Sequence, residues 1–285
     1  MLNSERVYML AADHRWQWEE WCDARSIPRT RIPEVKRLAY DGFLRARQQS
    51  QTVRDFGALL VDEQYGAAVL ADAQKAGVSV GTPAEKAGAF PLAWSTEPFS
   101  RALTGAFVKV LVRHRSDDDP AATAAQREKL EALQAWCRGA GKPLVLEILV
   151  ARRDEEEEDE FEAVGRPAMI AGFIADSYRR GLAPEFWKIE GTLSADGART
   201  IDAAIAADPA GRQIILGKAA DLATIDHWFA AAAASRTAVG FAIGRSVFWE
   251  PSAAFLTGAR TADAAAAGIA DTYLRLVDAW QRSRV

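Results

Sequence analysis

Short apolar runs that break into charge recur along this 285-residue chain. Val7-Tyr8-Met9-Leu10-Ala11-Ala12 runs into Asp13-His14-Arg15, and Phe56 to Val61 runs into Asp62-Glu63. Val78 to Pro83, Phe107 to His114, Leu144 to Val150, Phe186 to Gly191, Gln213 to Leu216 and Val239 to Ile243 have the same form. Compact runs of this length, bounded by polar residues, suit strands buried on both faces. Between them, apolar residues fall at helical spacing: Val35, Leu38, Ala39, Phe43 and Leu44 within 27–51, and Leu130, Leu133 and Trp136 within 123–138. Further helices are predicted over 67–76 (closed by Gly77), 167–180 (capped by Gly181), 198–207, 222–235 and 261–282. Strands alternating with helices, at roughly 25 to 45 residues per unit, imply right-handed βαβ units and a parallel sheet. Eight such units predict an α/β fold, a single (β/α)8 TIM barrel over residues 1–285. No linker or change of composition marks a second domain, and no G-x-G-x-x-G follows the first strand, which argues against a dinucleotide-binding fold.

Composition narrows the partners. The net charge is −4 and the pI about 5.6, without the basic footprint of nucleic-acid binding. Any anionic ligand must then be held by a few placed cations. Cys22 and Cys137 are too few for a disulfide framework and read as reduced structural thiols. The N-terminus lacks a signal layout, and no apolar run reaches the roughly 18 residues of a membrane span. A soluble cytoplasmic protein is expected, and the Trp-rich and Ala-rich helices leave room for a homo-oligomer interface. The acidic run 154–160 reads as a solvated loop or first helical turn.

In a (β/α)8 barrel the active site sits at the C-terminal ends of the strands. Each predicted strand brings a charge there: Asp13, Glu63, Lys86, Lys109, Glu147, Lys188, Lys218 and Arg245. A barrel interior otherwise favours Val, Ile and Leu, and burying several charges without function is costly. Lys188 stands within Phe186-Trp187-Lys188-Ile189-Glu190-Gly191, where period-two alternation turns Phe186, Lys188 and Glu190 to one face and Trp187 and Ile189 to the other. Two readings of that lysine stand here. One is a buried structural Lys188–Glu190 pair. The other is an amine nucleophile, because burial and a neighbouring like charge both disfavour an ammonium. Two interior lysines (Lys109, Lys188) and two interior carboxylates (Asp13, Glu147) suit Schiff-base chemistry without a cofactor. His14, His114 and His227 form no H-x-H or H-E-x-x-H pattern, so no metal site is expected. Loops after the seventh and eighth strands often bind phosphate in this fold, and Gly217-Lys218-Ala219-Ala220-Asp221 and Gly244-Arg245-Ser246 supply small residues and cations there.

Several stretches together carry a family resemblance. They are Leu10-Ala11-Ala12-Asp13-His14-Arg15, Leu60-Val61-Asp62-Glu63-Gln64-Tyr65-Gly66, Pro83-Ala84-Glu85-Lys86, Phe107 to Arg113, Trp187-Lys188-Ile189-Glu190-Gly191 and Gly240 to Trp249. With these the chain resembles the class I (Schiff-base) aldolases, and within them the DUF2090 family, found alone or as the C-terminal half of bacterial 5-dehydro-2-deoxygluconokinase fusions. The kinase half has no counterpart in this sequence. A more distant likeness is to tagatose-bisphosphate and sulfofructose-phosphate aldolases. The resemblance implies a ketose-phosphate lyase of carbohydrate metabolism, with 6-phospho-5-dehydro-2-deoxygluconate of inositol catabolism as the leading substrate. It implies Lys188 as the Schiff-base lysine, Glu147 as proton shuttle, Asp13 as the base for C–C cleavage, Lys109 and Lys86 as substrate-orienting lysines, and Arg245 as phosphate ligand. Arg15, Glu63, Glu190, Lys218 and Gly244 complete the candidate substrate-binding set. The chain departs from the family in its seventh loop, where Leu216-Gly217-Lys218-Ala219-Ala220 replaces a Ser-Gly-Gly-like turn. Two alternatives remain: an aldolase for another ketose phosphate, and a non-catalytic barrel that binds a sugar phosphate.

Overall fold

The computed structural model describes residues 2–284. Its strands close into one parallel barrel in sequence order: β1 (Val7–Ala12), β2 (Gly57–Val61), β3 (Ser79–Pro83), β4 (Phe107–Arg113), β5 (Leu144–Leu149), β6 (Phe186–Glu190), β7 (Arg212–Leu216) and β8 (Ala238–Ile243). This is the single (β/α)8 barrel that the pattern predicts. Ring closure falls between β8 and β1, where Val7 pairs with Gly240. Gly240 has φ 153°, and a Cβ there would overlap the Val7 carbonyl, so only glycine lets the last strand approach the first.

Helices cover the barrel, chiefly Ile32–Gln49, Glu63–Lys75, Pro120–Gly139, Arg166–Arg179, Ala195–Ile205, Leu222–Ala231 and Ala262–Ser283. Their starts differ from the periodicity where caps decide them. The second of these begins at Glu63 rather than 67, because Asp62 accepts the Tyr65 N–H. The third begins at Pro120 behind Asp119, which accepts from Ala121 and Ala122. A helix at Arg245–Leu256, which the apolar pattern does not mark, starts directly after β8. Among the described residues no helix is long and apolar enough to cross a membrane.

Side-chain alternation divides the core. Outward positions such as Leu10, Leu146, Trp187 and Ile189 pack beneath the helices. Inward positions Val7, Met9, Ala58, Leu60, Phe107, Val145, Phe186 and Ile214 fill the barrel's lower interior with apolar bulk. One inward step further toward the C-terminal end, on the same parity, stand Asp13, Lys109, Glu147 and Lys188. The barrel is thus an apolar plug with a charged top.

A fully buried lysine ties that top together. Lys36, on the helix Ile32–Gln49, places its Nζ 2.6 Å from each of the Ala12 and His14 carbonyls and 2.6 Å from Asp62 Oδ2. It clamps the backbone on both sides of Asp13 to the end of β2. Removing one partner of a buried pair leaves an uncompensated charge, at about 3–5 kcal/mol. Asp62→Ala, which also removes a helix cap, is expected to lower unfolding free energy by at least about 3 kcal/mol in urea titrations. A loss under about 1 kcal/mol would show that the Lys36 ammonium is satisfied by the two carbonyls alone.

Candidate active site

The C-terminal mouth encloses a cavity of about 300 Å³, with Asp13, Glu85, Lys109, Glu147, Lys188 and Arg245 in its lining. Sheet register explains the convergence. Glu147 of β5 lies beside Lys188 of β6, and Leu111 of β4 lies beside Glu147, which leaves Lys109 two residues lower on the same inward face. Lys109 Nζ donates to Asp13 Oδ2 at 3.0 Å and Glu85 Oε1 at 2.8 Å, and lies 2.9 Å from Glu147 Oε2. Lys188 Nζ donates to that same Glu147 oxygen at 2.9 Å. Glu85 is held in turn by the Leu111 N–H at 3.3 Å, and Arg15 Nη2 lies 3.6 Å from Glu85 Oε1 while donating to the Glu85 carbonyl. Each of these side chains is buried, and Lys188 is only 4% exposed.

Three carboxylates (Asp13, Glu85, Glu147) and three cations (Lys109, Lys188, Arg245) therefore share one cavity. Burial alone would lower the pKa of Lys109, but Asp13, Glu147 and Glu85 outweigh it and hold that pKa well above the ordinary lysine value. Burial would raise Asp13 and Glu147, yet Lys109 and Lys188 outweigh it, and both carboxyls are held below the ordinary range. The expected direct repulsion between Lys109 and Lys188 is thus replaced by an interposed carboxylate. His14, whose Nδ1 lies 4.0 Å from Asp13 Oδ1, is pushed down to about 3, mainly by burial against the opposing pull of Asp13. Its ring is neutral at ordinary pH.

The rim carries the candidate anion-binding groups. Gly244 ends β8 with no space for a Cβ against the Ala11 carbonyl, and Arg245 follows at the start of the helix Arg245–Leu256. Among the described residues the Arg245 guanidinium has no ion pair or hydrogen bond, and its Nε is buried. Burial lowers its pKa, with Glu147 and Asp13 opposing. Gly217, Lys218 and Ala219 line the same end of the cavity.

Most of the candidate residues meet here, but not all. Asp13, Arg15, Lys86, Lys109, Glu147, Lys188, Lys218, Gly244 and Arg245 line the cavity. Glu63 does not: it is the first helical residue after β2 rather than a strand end, and it accepts from Thr104 Oγ1 at 3.0 Å. Glu190 does not either. Its Oε2 accepts from Arg166 Nη1 at 2.5 Å and Lys218 Nζ at 2.8 Å, so the Lys188–Glu190 pair does not form. Glu85 is a cavity residue absent from the candidates, although alternation contained it. Counting by two from Gly81, whose face meets the Phe107 ring, reaches Glu85 rather than its exposed neighbour Lys86. No group of three or more His, Cys, Asp or Glu among the described residues is arranged to hold a metal ion.

These shifts have a signed consequence for stability. Asp13 and Glu147, depressed on folding, stabilise the fold above an unfolded-state value of about 4, and that stabilisation is lost as pH falls through the folded values. His14, also depressed, costs stability earlier, because the unfolded chain takes up its proton below about pH 6.5 while the folded chain does not. Lys109, raised on folding, contributes below about pH 10.4 and loses that contribution only in stronger alkali. Urea titrations across pH are expected to show stability falling below about pH 6.5. His14→Gln should flatten the upper part of that fall and leave the steeper carboxylate limb below about pH 4; an unchanged profile would contradict a buried neutral His14.

The fold recurs among solved structures. The chain superposes on fructose-bisphosphate aldolase from Plasmodium falciparum, solved with TRAP and a small-molecule inhibitor, with a TM-score of 0.69 at 10% identity over 99% of this chain and 91% of that one. A Schiff-base-forming fructose-1,6-bisphosphate aldolase gives 0.55 at 17% identity, with 94% of each chain covered. An archaeal fructose 1,6-bisphosphate aldolase gives 0.58 at 14% identity, over 97% and 94%. At these identities the likeness is one of fold. No curated protein matches the chain. The profile of the family described as "Uncharacterized protein conserved in bacteria (DUF2090)" matches residues 2–284, and the chain belongs to that family.

Proposed function

We propose that this protein is a class I aldolase that cleaves a phosphorylated keto-sugar or keto-acid through a Schiff base on Lys188. The substrate we favour is 6-phospho-5-dehydro-2-deoxygluconate, yielding dihydroxyacetone phosphate and malonate semialdehyde. One observation carries the reading: Lys188 Nζ lies 2.9 Å from a Glu147 oxygen that also faces the Lys109 ammonium. The shared fold with a Schiff-base-forming aldolase supports it.

The chemistry follows the charges. Lys188 hands a proton to Glu147, and the free amine adds to the substrate ketone. Glu147 returns a proton to the departing hydroxyl, water leaves, and an iminium remains. That iminium carries the same single positive charge as the ammonium it replaces, so the buried balance with Asp13, Glu85 and Glu147 survives the step. No burial cost has to be met twice. As Asp13 takes the hydroxyl proton, the C–C electron pair moves into the iminium and an aldehyde is released. The resulting enamine is protonated on carbon, and water then frees the ketone product and regenerates the amine. Lys109, held protonated, orients substrate oxygens and keeps Asp13 ionised until it takes the hydroxyl proton. Arg245, without a partner among the described residues, meets the phosphate at the helix start.

Turnover of 6-phospho-5-dehydro-2-deoxygluconate, read as dihydroxyacetone phosphate released, tests this. Lys188→Met should lower kcat/KM by at least about 10³-fold. Glu147→Gln should lower kcat by about 10²–10⁴-fold. A chelator should leave the wild type unaffected. Turnover that survives in Lys188→Met, or that the chelator abolishes, would sink the proposal.

A further inference from the structure

We infer that Glu190, which lies outside the cavity, is a positioning residue: it pins the turn after β7 through Lys218 and so sets the protein's affinity for phosphate. The inference rests on the reading above that the substrate's phosphate sits at this end of the cavity.

Lys218 and Ala219 both occupy the left-handed region, at φ 44° and 63°, without being glycine. Such residues persist only where their surroundings over-determine them. A continuous line of contacts does so here. Arg166, 1% exposed, donates to the Gly191 carbonyl at 3.0 Å, to Glu162 at 3.0 Å and to Glu190 at 2.5 Å. Glu190, also 1% exposed, then holds Lys218 Nζ at 2.8 Å, although the lysine itself is half-exposed. The turn closes with the Ala220 N–H on the Gly217 carbonyl at 2.7 Å. Ser246 Oγ donates to the Ala220 carbonyl at 2.6 Å and joins the turn to the residue next to Arg245. Gly217 is packed so closely on Ile243 that a Cβ would clash, which leaves the turn no room to slide inward. Among the described residues the N–H groups of Lys218 and Ala219 have no protein acceptor. Successive free N–H groups beside a cation form an anion-binding concavity. Where a glycine turn would adopt this shape freely, Ala219 adopts it under restraint, and Glu190 supplies the restraint.

The test is the shift in thermal midpoint produced by inorganic phosphate, which needs no turnover. Glu190→Gln is expected to weaken phosphate binding at least about 10-fold relative to the wild type. Adding Ala219→Gly, which removes the steric cost at one of the two left-handed positions, should restore affinity to within about 3-fold. A purely structural salt bridge would show no such rescue. If Glu190→Gln does not fold, Lys218→Met, which leaves the Arg166–Glu190 pair whole, should weaken phosphate equally and be rescued in the same way. Wild-type affinity in the single variants, absence of rescue by Ala219→Gly, or no phosphate binding by the wild type would each overturn the inference. Failure of the aldolase reading shows separately, as absent turnover in a wild type that still binds phosphate.

Discussion

One carboxylate oxygen, Glu147 Oε2, lies within 2.9 Å of two buried ammonium nitrogens, and the rest of the site depends on that sharing. A lysine on the inward face of a barrel strand is expensive unless something opposite and fixed receives it. Lys109 has Asp13 and Glu85 besides; among the described residues Lys188 has Glu147 alone within salt-bridge reach. The asymmetry separates their roles. Lys109 is the permanent cation around which three carboxylates assemble. In the proposed mechanism Lys188 is the one that gives up its proton, to Glu147 at 2.9 Å.

The scaffold fixes this arrangement from below. Apolar side chains on the inward face fill the lower barrel, and Lys36 with Asp62 fastens the ends of β1 and β2. The candidate anion rim is built differently, from the left-handed turn after β7 and a guanidinium that has no protein partner among the described residues. Groups that must hold charges in fixed relation stand on strands, while groups that meet a ligand's periphery stand on the loops that follow them.

Much of this was legible in the chain itself. Alternation in Phe186 to Glu190 gives Lys188 its inward direction, since Trp187 and Ile189 need the apolar layer beneath the helices. The same counting locates Asp13, Lys109 and Glu147. It fails where a strand ends and a helix cap takes over. Glu63 reads as a strand-end charge, but Asp62 caps the helix and turns Glu63 away. It also fails where a long side chain crosses elements: nothing near Lys36 in sequence announces a reach to Ala12, His14 and Asp62, and nothing near Glu190 announces Arg166. Glu85 is the intermediate case, readable by parity and obscured by the more conspicuous lysine beside it.

In the proposed reaction Lys188, and not Lys109, is the nucleophile. Borohydride reduction in the presence of dihydroxyacetone phosphate, followed by peptide mapping by mass spectrometry, addresses it directly. A stable adduct is expected on the peptide containing Lys188 and none on that containing Lys109. An adduct on Lys109, or none on either lysine at saturating ligand, would contradict it.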